Sequence, residues 1–474
     1  MLLPRSPRGW PRQRPTGSPR LWPRRSAAGP PGRWWRARQR RSPWDAEIGR
    51  LAVPAFGALI AEPLYVLADT AVIGHLGTAQ LAGAAVAAAI LVTGYAAFIF
   101  LAYGTTAAVA RLVGAGQPAA AAHQAVQSCW LALLISAVLT PTGFAGAHTL
   151  VDWFGAGGAA SAYGATYLRI SVLGGPAMLV SYAATGYLRG RQNTRTPLLI
   201  AVGSAAGNLV LELVLIYGLG YGVGASAAST VIAQTAAAAV YLAGLRRAVR
   251  HLRVRLRPDR TAVGRLALVG GALLLRTIAL RLALTAGTAV AARLGTVQVG
   301  AHQIAFEVWN TLALALDAVA IAGQALVGRL LGAGDAAGAR AAANRMVEVG
   351  LLVGTVGGLA LLALRTVLPY LFSDDPAVLR LAAFLLLYVA VMQPVNAVVF
   401  VLDGVLMGAG DMRFLAVAMV GVAVAFGLAA VVLVLTGAGI GWLWTALTGL
   451  MLARLATLVG RYRSDRWLIL GASR

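Results

Sequence analysis

The chain of 474 residues contains no lysine, a single cysteine and only 16 acidic residues. The lone Cys129 excludes a disulfide framework within the chain, and no Cys/His spacing typical of a metal site is present. We therefore expect no structural metal and no cofactor. Charged residues make up 12% of the sequence against 59% hydrophobic residues, and the mean hydropathy is +0.75. A water-soluble monomer could not cover so much apolar surface, so the composition indicates a polytopic membrane protein.

Long apolar runs fill most of the chain. Each is about 20 residues long, the length that crosses a hydrocarbon core of roughly 30 Å. The runs lack the short alternating pattern of a membrane β-barrel, which favours helices. We therefore predict an all-α fold with twelve transmembrane helices, near 48–73, 81–105, 124–146, 163–185, 197–217, 223–245, 264–291, 299–324, 343–364, 378–403, 414–436 and 440–460.

The second half of the chain repeats the first at a constant displacement of 218 residues. The recurring residues are Thr70/Thr288, Gly77/Gly295, Thr78/Thr296, Gln80/Gln298, Arg111/Arg329, Gly114/Gly332, Gly116/Gly334, Pro176/Pro394, Gly186/Gly404, Gly190/Gly408, Arg195/Arg413 and Gly203/Gly421. Six spans per copy is an even number, so both copies enter the membrane in the same orientation. We predict two six-helix bundles related by a pseudo-twofold axis along the membrane normal. We call them the N-lobe (45–245) and the C-lobe (262–460).

Arginine is concentrated in alternate loops and in both ends of the chain. The intervening loops carry only Arg293 and Arg365. By the positive-inside rule both termini are expected to be cytoplasmic, in a multi-pass protein of the cell membrane. A basic linker (246–261) and a C-terminal tail (461–474) would lie on that same face.

Residues 1–44 are rich in arginine and proline, contain no acidic residue and lack the apolar core of a signal peptide. We predict a disordered cytoplasmic tail. A mis-assigned start codon would explain the segment equally well. The bilayer is the expected partner, and nucleic acid is not.

The two copies differ at polar positions inside the membrane, which indicates a site in the N-lobe only. Intramembrane carboxyl groups are costly unless they are neutral, paired or wet, so they are functional candidates. By the predicted topology five residues lie roughly 6 to 10 Å below the outer boundary of the membrane. Several carboxyl groups in one chamber would repel each other when ionised, which favours uptake of a proton or cation. The predicted coupling site is Asp69, Glu212, Asn208, Thr230 and Tyr167.

Four further acids were assigned from their positions. Glu62 lies seven residues before Asp69, on the same helix face, and is a possible additional member of the site. Asp317 is a candidate for the cleft. Asp403 adjoins the turn that begins at Gly404, so we expect it to cap or stabilise that turn. Glu307 is expected to form a structural ion pair with Arg276 or Arg281.

Several motifs resemble those of the multidrug and toxic compound extrusion (MATE) family, in its DNA-damage-inducible protein F-like branch. They are 67–77 (LADTAVIGHLG), 113–116 (VGAG), 188–197 and 208–212 (NLVLE). The resemblance covers about residues 45–460 of the chain. It implies a V-shaped pair of six-helix bundles and a first-lobe cation site at Asp69, Asn208, Glu212 and Thr230, with Tyr167 in the surrounding network. Glu212 stands where this family usually has Asp.

The function implied by the resemblance is secondary active efflux of cationic or amphipathic compounds, in antiport with H⁺ or Na⁺. One chain is expected to act as a monomer. A flippase for lipid-linked precursors, of the same wider superfamily, is the alternative, and Arg276 and Arg281 are the sequence feature in its favour. An intramembrane enzyme is disfavoured because no nucleophile and base constellation is visible.

Overall fold

The computed structural model describes residues 42–473. These residues form fifteen α-helices and no strand, so the predicted all-α fold is confirmed. The helices are α1 (Pro43–Gly74), α2 (Thr78–Ala96), α3 (Phe100–Gly114), α4 (Pro118–Ala145), α5 (Ala147–Trp153), α6 (Ala159–Val172), α7 (Gly175–Gly190), α8 (Arg195–Leu213), α9 (Val223–His251), α10 (Arg260–Leu294), α11 (Thr296–Gly332), α12 (Ala336–Leu364), α13 (Pro376–Gly408), α14 (Met412–Thr436) and α15 (Ile440–Arg463).

The membrane spans differ from prediction in one respect. Within residues 42–473, eleven helical segments are long and apolar enough to cross a membrane. The remaining predicted span, 163–185, falls on α6 and α7, two shorter helices separated by Leu173 and Gly174. Pro176 lies in the first turn of α7, where a residue without a backbone N–H is tolerated. By contrast, α1 runs unbroken through Pro54 and Pro63.

Both lobes use the same packing scheme, as the repeat requires. In the N-lobe, α1 packs against α8, while α2 and α3 pack against α6 and α7. In the C-lobe, α10 packs against α14 and α11 against α13 in the corresponding way. The structure therefore contains one helical arrangement twice.

The repeated glycines lie where helix backbones touch. A Cβ atom on Gly114 would lie 1.9 Å from the carbonyl oxygen of Arg329, and one on Gly332 would lie 2.0 Å from that of Arg111. These four residues are two repeat pairs, so the lobes cross at their equivalent helices, α3 and α11. Only glycine allows backbones to approach so closely.

The loops after the first and seventh spans also match. Gly77 and its repeat partner Gly295 have φ angles of 126° and 127°, a region that side chains disfavour. Both residues immediately precede a helix, α2 and α11 respectively. The same backbone geometry thus recurs at both positions, which explains why glycine is repeated there.

Ion pairs join the lobes at the arginine-rich end of the molecule. Glu47 on α1 binds Arg329 on α11, with 2.8 Å between Oε1 and a guanidinium nitrogen. Asp45 binds Arg345 on α12 at 2.6 Å. Asp45 and Glu47 lie at the start of α1, which begins at Pro43. Of the predicted N-terminal tail, 1–44, only residues 42–44 are among the described residues.

The residues after α15 pack against both lobes. Trp467 is fully buried and stacks on Tyr462, with 5.3 Å between ring centroids. The carbonyl oxygens of Ile469 and Gly471 accept hydrogen bonds of 2.7 and 3.1 Å from the guanidinium of Arg111 in the N-lobe. The predicted cytoplasmic tail is therefore, in its described part, a C-terminal strap (464–473) that ties the N-lobe to the C-lobe.

Replacing Trp467 with alanine should lower the stability of the protein by about 3–5 kcal/mol, because a large buried ring is lost. The only cysteine, Cys129, is buried, so its labelling by a thiol-reactive dye during heating reports unfolding. Trp442→Ala is the matched control, since that ring is 65% exposed on α15. Equal labelling temperatures for the two variants would show that the strap contributes no stability.

Candidate functional site

The centre of the N-lobe holds two neighbouring carboxyl groups. Asp69 on α1 and Glu212 near the end of α8 are both buried, with Glu212 fully so. The two groups lie beside each other. Ser226 on α9 donates a 2.6 Å hydrogen bond to Asp69 Oδ1, while neither oxygen of Glu212 has a donor among the described residues. The oxygens of Glu212 thus remain available to a shared proton or a cation.

A polar layer lies next to this carboxyl pair. The hydroxyl groups of Tyr65 and Thr230 are 2.7 Å apart, and Asn208 Nδ2 donates to Thr230 Oγ1 at 3.4 Å. Thr230 in turn donates to the carbonyl oxygen of Ser226, the residue that binds Asp69. A continuous hydrogen-bonded chain thus links α1, α8 and α9 around the two acids.

The five residues predicted as the coupling site are brought together by the fold. Asp69, Asn208, Glu212 and Thr230 belong to the cluster just described. Tyr167 on α6 is buried beside Ser226. Their role as a coupling site stays a prediction.

Sequence reasoning missed two members of the cluster, Tyr65 and Ser226. Each lies four residues before a predicted member on the same helix, namely Asp69 and Thr230. That spacing puts both on the site-facing side of their helices and could have identified them. Glu212 is also followed by a turn of π-helix, Val214–Gly218, a feature that is frequent near functional sites.

Two cavities lie near the centre of the molecule. The N-lobe cavity, of about 310 Å³, is bounded by α1, α7, α8 and α9, and its lining includes Glu62, Tyr65, Asn208 and Thr230. The C-lobe cavity, of about 280 Å³, is bounded mainly by α10, α11, α13 and α15. Tyr103 on α3 lines both cavities. Glu62 therefore shares the N-lobe cavity with Tyr65, Asn208 and Thr230, whereas Asp317 lines the C-lobe cavity. Their roles as additional site residues stay predictions.

The C-lobe cavity contains a buried ion-pair network that differs from prediction. Oδ2 of Asp403 accepts hydrogen bonds from both Arg276 and Arg454, the latter at 2.5 Å. Asp403 therefore does not cap the turn after α13, because it points into the lobe five residues before the end of the helix. The predicted pair of Glu307 with Arg276 or Arg281 is also absent, since Glu307 is exposed and Arg276 binds Asp403.

The sequence indicates how deep a residue lies in the membrane, but not in which direction its side chain points. It therefore could not predict which arginine binds which acid. Asp317, the remaining acid of the cavity, accepts a 3.3 Å hydrogen bond from the hydroxyl of Tyr103. Gln324 donates to the backbone oxygen of the same tyrosine at 2.9 Å. Tyr103 in the N-lobe is thereby fixed to α11 of the C-lobe.

The described residues contain no group of three or more His, Cys, Asp or Glu side chains that could hold a metal ion. The oxygen atoms near Asp69 and Glu212 are hard ligands. They suit a proton or an alkali cation better than a transition metal.

The duplicated helical lobes, the central cavities and the embedded carboxyl pair define a two-lobed polytopic membrane transporter. The MatE family model matches residues 54–217 and 273–435, one match in each lobe. The chain belongs to the MATE family of transporters, as the sequence motifs predicted.

Known relatives agree with this assignment. Protein DETOXIFICATION 44, chloroplastic, from Arabidopsis thaliana is 34% identical over 445 residues, which cover 90% of this chain and 84% of the relative. DNA damage-inducible protein F from Escherichia coli (strain K12) is 31% identical over 432 residues, covering 88% and 92%. A solved MOP superfamily transporter from Pyrococcus furiosus shares the fold, with a TM-score of 0.81 at 21% identity over 90% of this chain and 97% of that one.

The Asp403 network gives a stability prediction. Asp403→Asn should lower stability by about 3–5 kcal/mol, because it removes the shared counter-charge of two buried guanidinium groups. Cys129 labelling on heating again measures unfolding. The control is Glu348→Gln, which removes an exposed ion-pair partner of Arg345. The free energy of unfolding of this variant should change by less than about 1 kcal/mol. A D403N protein as stable as the control would contradict a structural role for Asp403.

Proposed function

We propose that this protein is a secondary active exporter of cationic, amphipathic compounds, driven by antiport with H⁺ or Na⁺. The observation that carries the proposal is the pair of buried neighbouring carboxyl groups of Asp69 and Glu212. Membership of a transporter family supports export across a membrane and leaves the ion and the substrate open. The carboxyl pair favours a proton or a sodium ion as the coupling ion.

Charge repulsion makes the pair a cation binder. Two ionised carboxylates side by side in a medium of low dielectric constant repel strongly. No arginine of residues 42–473 forms an ion pair with either one. A proton or a sodium ion relieves that repulsion. Because α1 carries Asp69 and also contacts α11 of the other lobe, neutralising the acid can change how the lobes pack.

Antiport requires that the coupling ion and the substrate disfavour each other's binding. A positive charge bound at the carboxyl pair lowers the attraction of the adjoining cavity for a cationic substrate. A proton entering from outside would therefore release the substrate there, and loss of the proton inside would restore its affinity. We further propose a plasma-membrane location with both termini cytoplasmic, and the single chain as the transporting unit.

A flippase for lipid-linked precursors is the second candidate. Three arginines line the C-lobe cavity, Arg276, Arg281 and Arg454, and a phosphate group would bind such a cluster. Two of the three already share Asp403 as their counter-charge, which leaves Arg281 as the guanidinium without an ion pair there. We therefore favour the cation exporter.

Asp69→Asn and Glu212→Gln should each abolish gradient-driven export of a cationic dye from proteoliposomes, reducing it to the leak of protein-free vesicles. Neither variant can bind and release a proton through the altered group. Dye movement is followed after a pH jump that makes the outside acidic, with and without a sodium gradient. The gradient that drives the unaltered protein identifies the coupling ion.

The control for this assay is Glu307→Gln, which removes one exposed carboxylate outside both cavities. It should retain export. Full export by D69N would refute the role of the carboxyl pair. Absence of dye movement by the unaltered protein under both gradients would favour the flippase.

A further inference from the structure

One face of α1 lines the N-lobe cavity and also carries Asp69, one member of the carboxyl pair. Ala58, Glu62 and Tyr65 line the cavity, and Asp69 follows Glu62 by seven residues, or two helical turns. At 1.5 Å per residue this spacing is about 10 Å along the helix. The two acids therefore lie on the same side of α1 at different depths.

The hydrogen bond between Tyr65 and Thr230 separates the two acids. Tyr65, Thr230 and Asn208 all line the cavity, whereas Asp69 and Glu212 do not. A substrate in the cavity would contact this polar layer and Glu62, but not the carboxyl pair behind the layer. Glu62 is thus accessible from the cavity, whereas Asp69 and Glu212 are not.

Glu62 has no counter-charge of its own. No Arg or His among residues 42–473 forms an ion pair with it. Arg189 also lines the cavity, but its guanidinium is buried and forms no ion pair with Glu62 in the part of the chain that the structure describes. Glu62 itself is exposed to the cavity. A carboxylate so placed is left for a positively charged ligand.

The remaining walls suit the apolar part of such a ligand. Four tyrosines line the cavity, and alanine, isoleucine, leucine and methionine side chains cover much of the rest. Aromatic faces attract organic cations, and methionine adapts to irregular shapes. The aromatic members are Tyr65, Tyr103, Tyr182 and Tyr241.

We propose that Glu62 binds the positive charge of the substrate and selects cations, whereas Asp69 and Glu212 bind the coupling ion. This assignment rests on the proposed export function and changes the expectation for Glu62, which was grouped with the coupling residues. Substrate selection and ion coupling then reside in different carboxyl groups of the same lobe. They communicate through the layer of Tyr65, Asn208 and Thr230.

The test compares two rigid ions of nearly equal shape and opposite charge, tetraphenylphosphonium and tetraphenylborate. Their equilibrium binding to the purified full-length protein is measured at fixed pH, against protein-free micelles. Glu62→Gln should weaken tetraphenylphosphonium binding about tenfold or more, because a desolvated charge pair is lost. Binding of tetraphenylborate should stay the same or increase. Glu62→Asp should recover part of the affinity for the cation.

Two further variants make the result specific. Glu307→Gln changes the net charge equally and should leave binding of both ions unchanged. Asp69→Asn should still bind tetraphenylphosphonium, and its affinity, measured at several pH values, should vary less with pH than that of the unaltered protein, because Glu62 and Glu212 remain titratable. Unchanged labelling of Cys129 on heating shows that each variant is folded.

The outcomes separate this inference from the proposed function. Unaltered cation binding by E62Q overturns the role of Glu62 even if export is driven by the ion gradient. An equal loss of affinity for both ions in E62Q also overturns it, since Glu62 would then affect the shape of the cavity without discriminating between positive and negative charge. A selective loss of affinity for the cation in E62Q would support the role of Glu62. If the unaltered protein also exported no dye, the proposed export function would be refuted at the same time.

Discussion

The cost of an unpaired charge in a medium of low dielectric constant explains why the buried acidic residues of this protein differ in their roles. Asp403 is held by two arginines and stabilises the C-lobe. Asp69 accepts a hydrogen bond from Ser226 and lies beside Glu212, and among residues 42–473 no arginine forms an ion pair with either acid. The same physical rule thus makes one buried acid structural and makes the other two candidates for ion coupling.

The lobes are joined at the arginine-rich end of the molecule and also at Tyr103. Gly114 and Gly332 bring α3 and α11 together, and the ion pair of Glu47 with Arg329 adds to this contact. The C-terminal strap closes over Arg111 at the same end. Asp317 and Gln324 on α11 bind Tyr103 of the N-lobe. Any change in the relative position of the lobes would have to alter these contacts.

Much of the candidate site could be derived from residue type and depth. Asp69, Asn208, Glu212 and Thr230 are polar residues at one level of an apolar lobe, and the fold places them in one cluster. Tyr65 was missed because a tyrosine in a membrane span has many possible reasons to be there. The prediction that Asp403 caps or stabilises a turn was wrong because the depth of a residue does not define the direction of its side chain.

The sequence alone determined the class of the protein and its duplicated lobes, since hydrophobic length and the repeat are properties of the chain itself. Only the tertiary structure decided which charges meet. Arg276 and Arg454 come from helices far apart in the chain, yet both bind Asp403. Glu62 and Asp69 share a helix face but have different surroundings, because Thr230 of α9 hydrogen-bonds to Tyr65 of α1 between them. Ion pairing depends on side-chain positions in three dimensions, and these arise only when the helices pack.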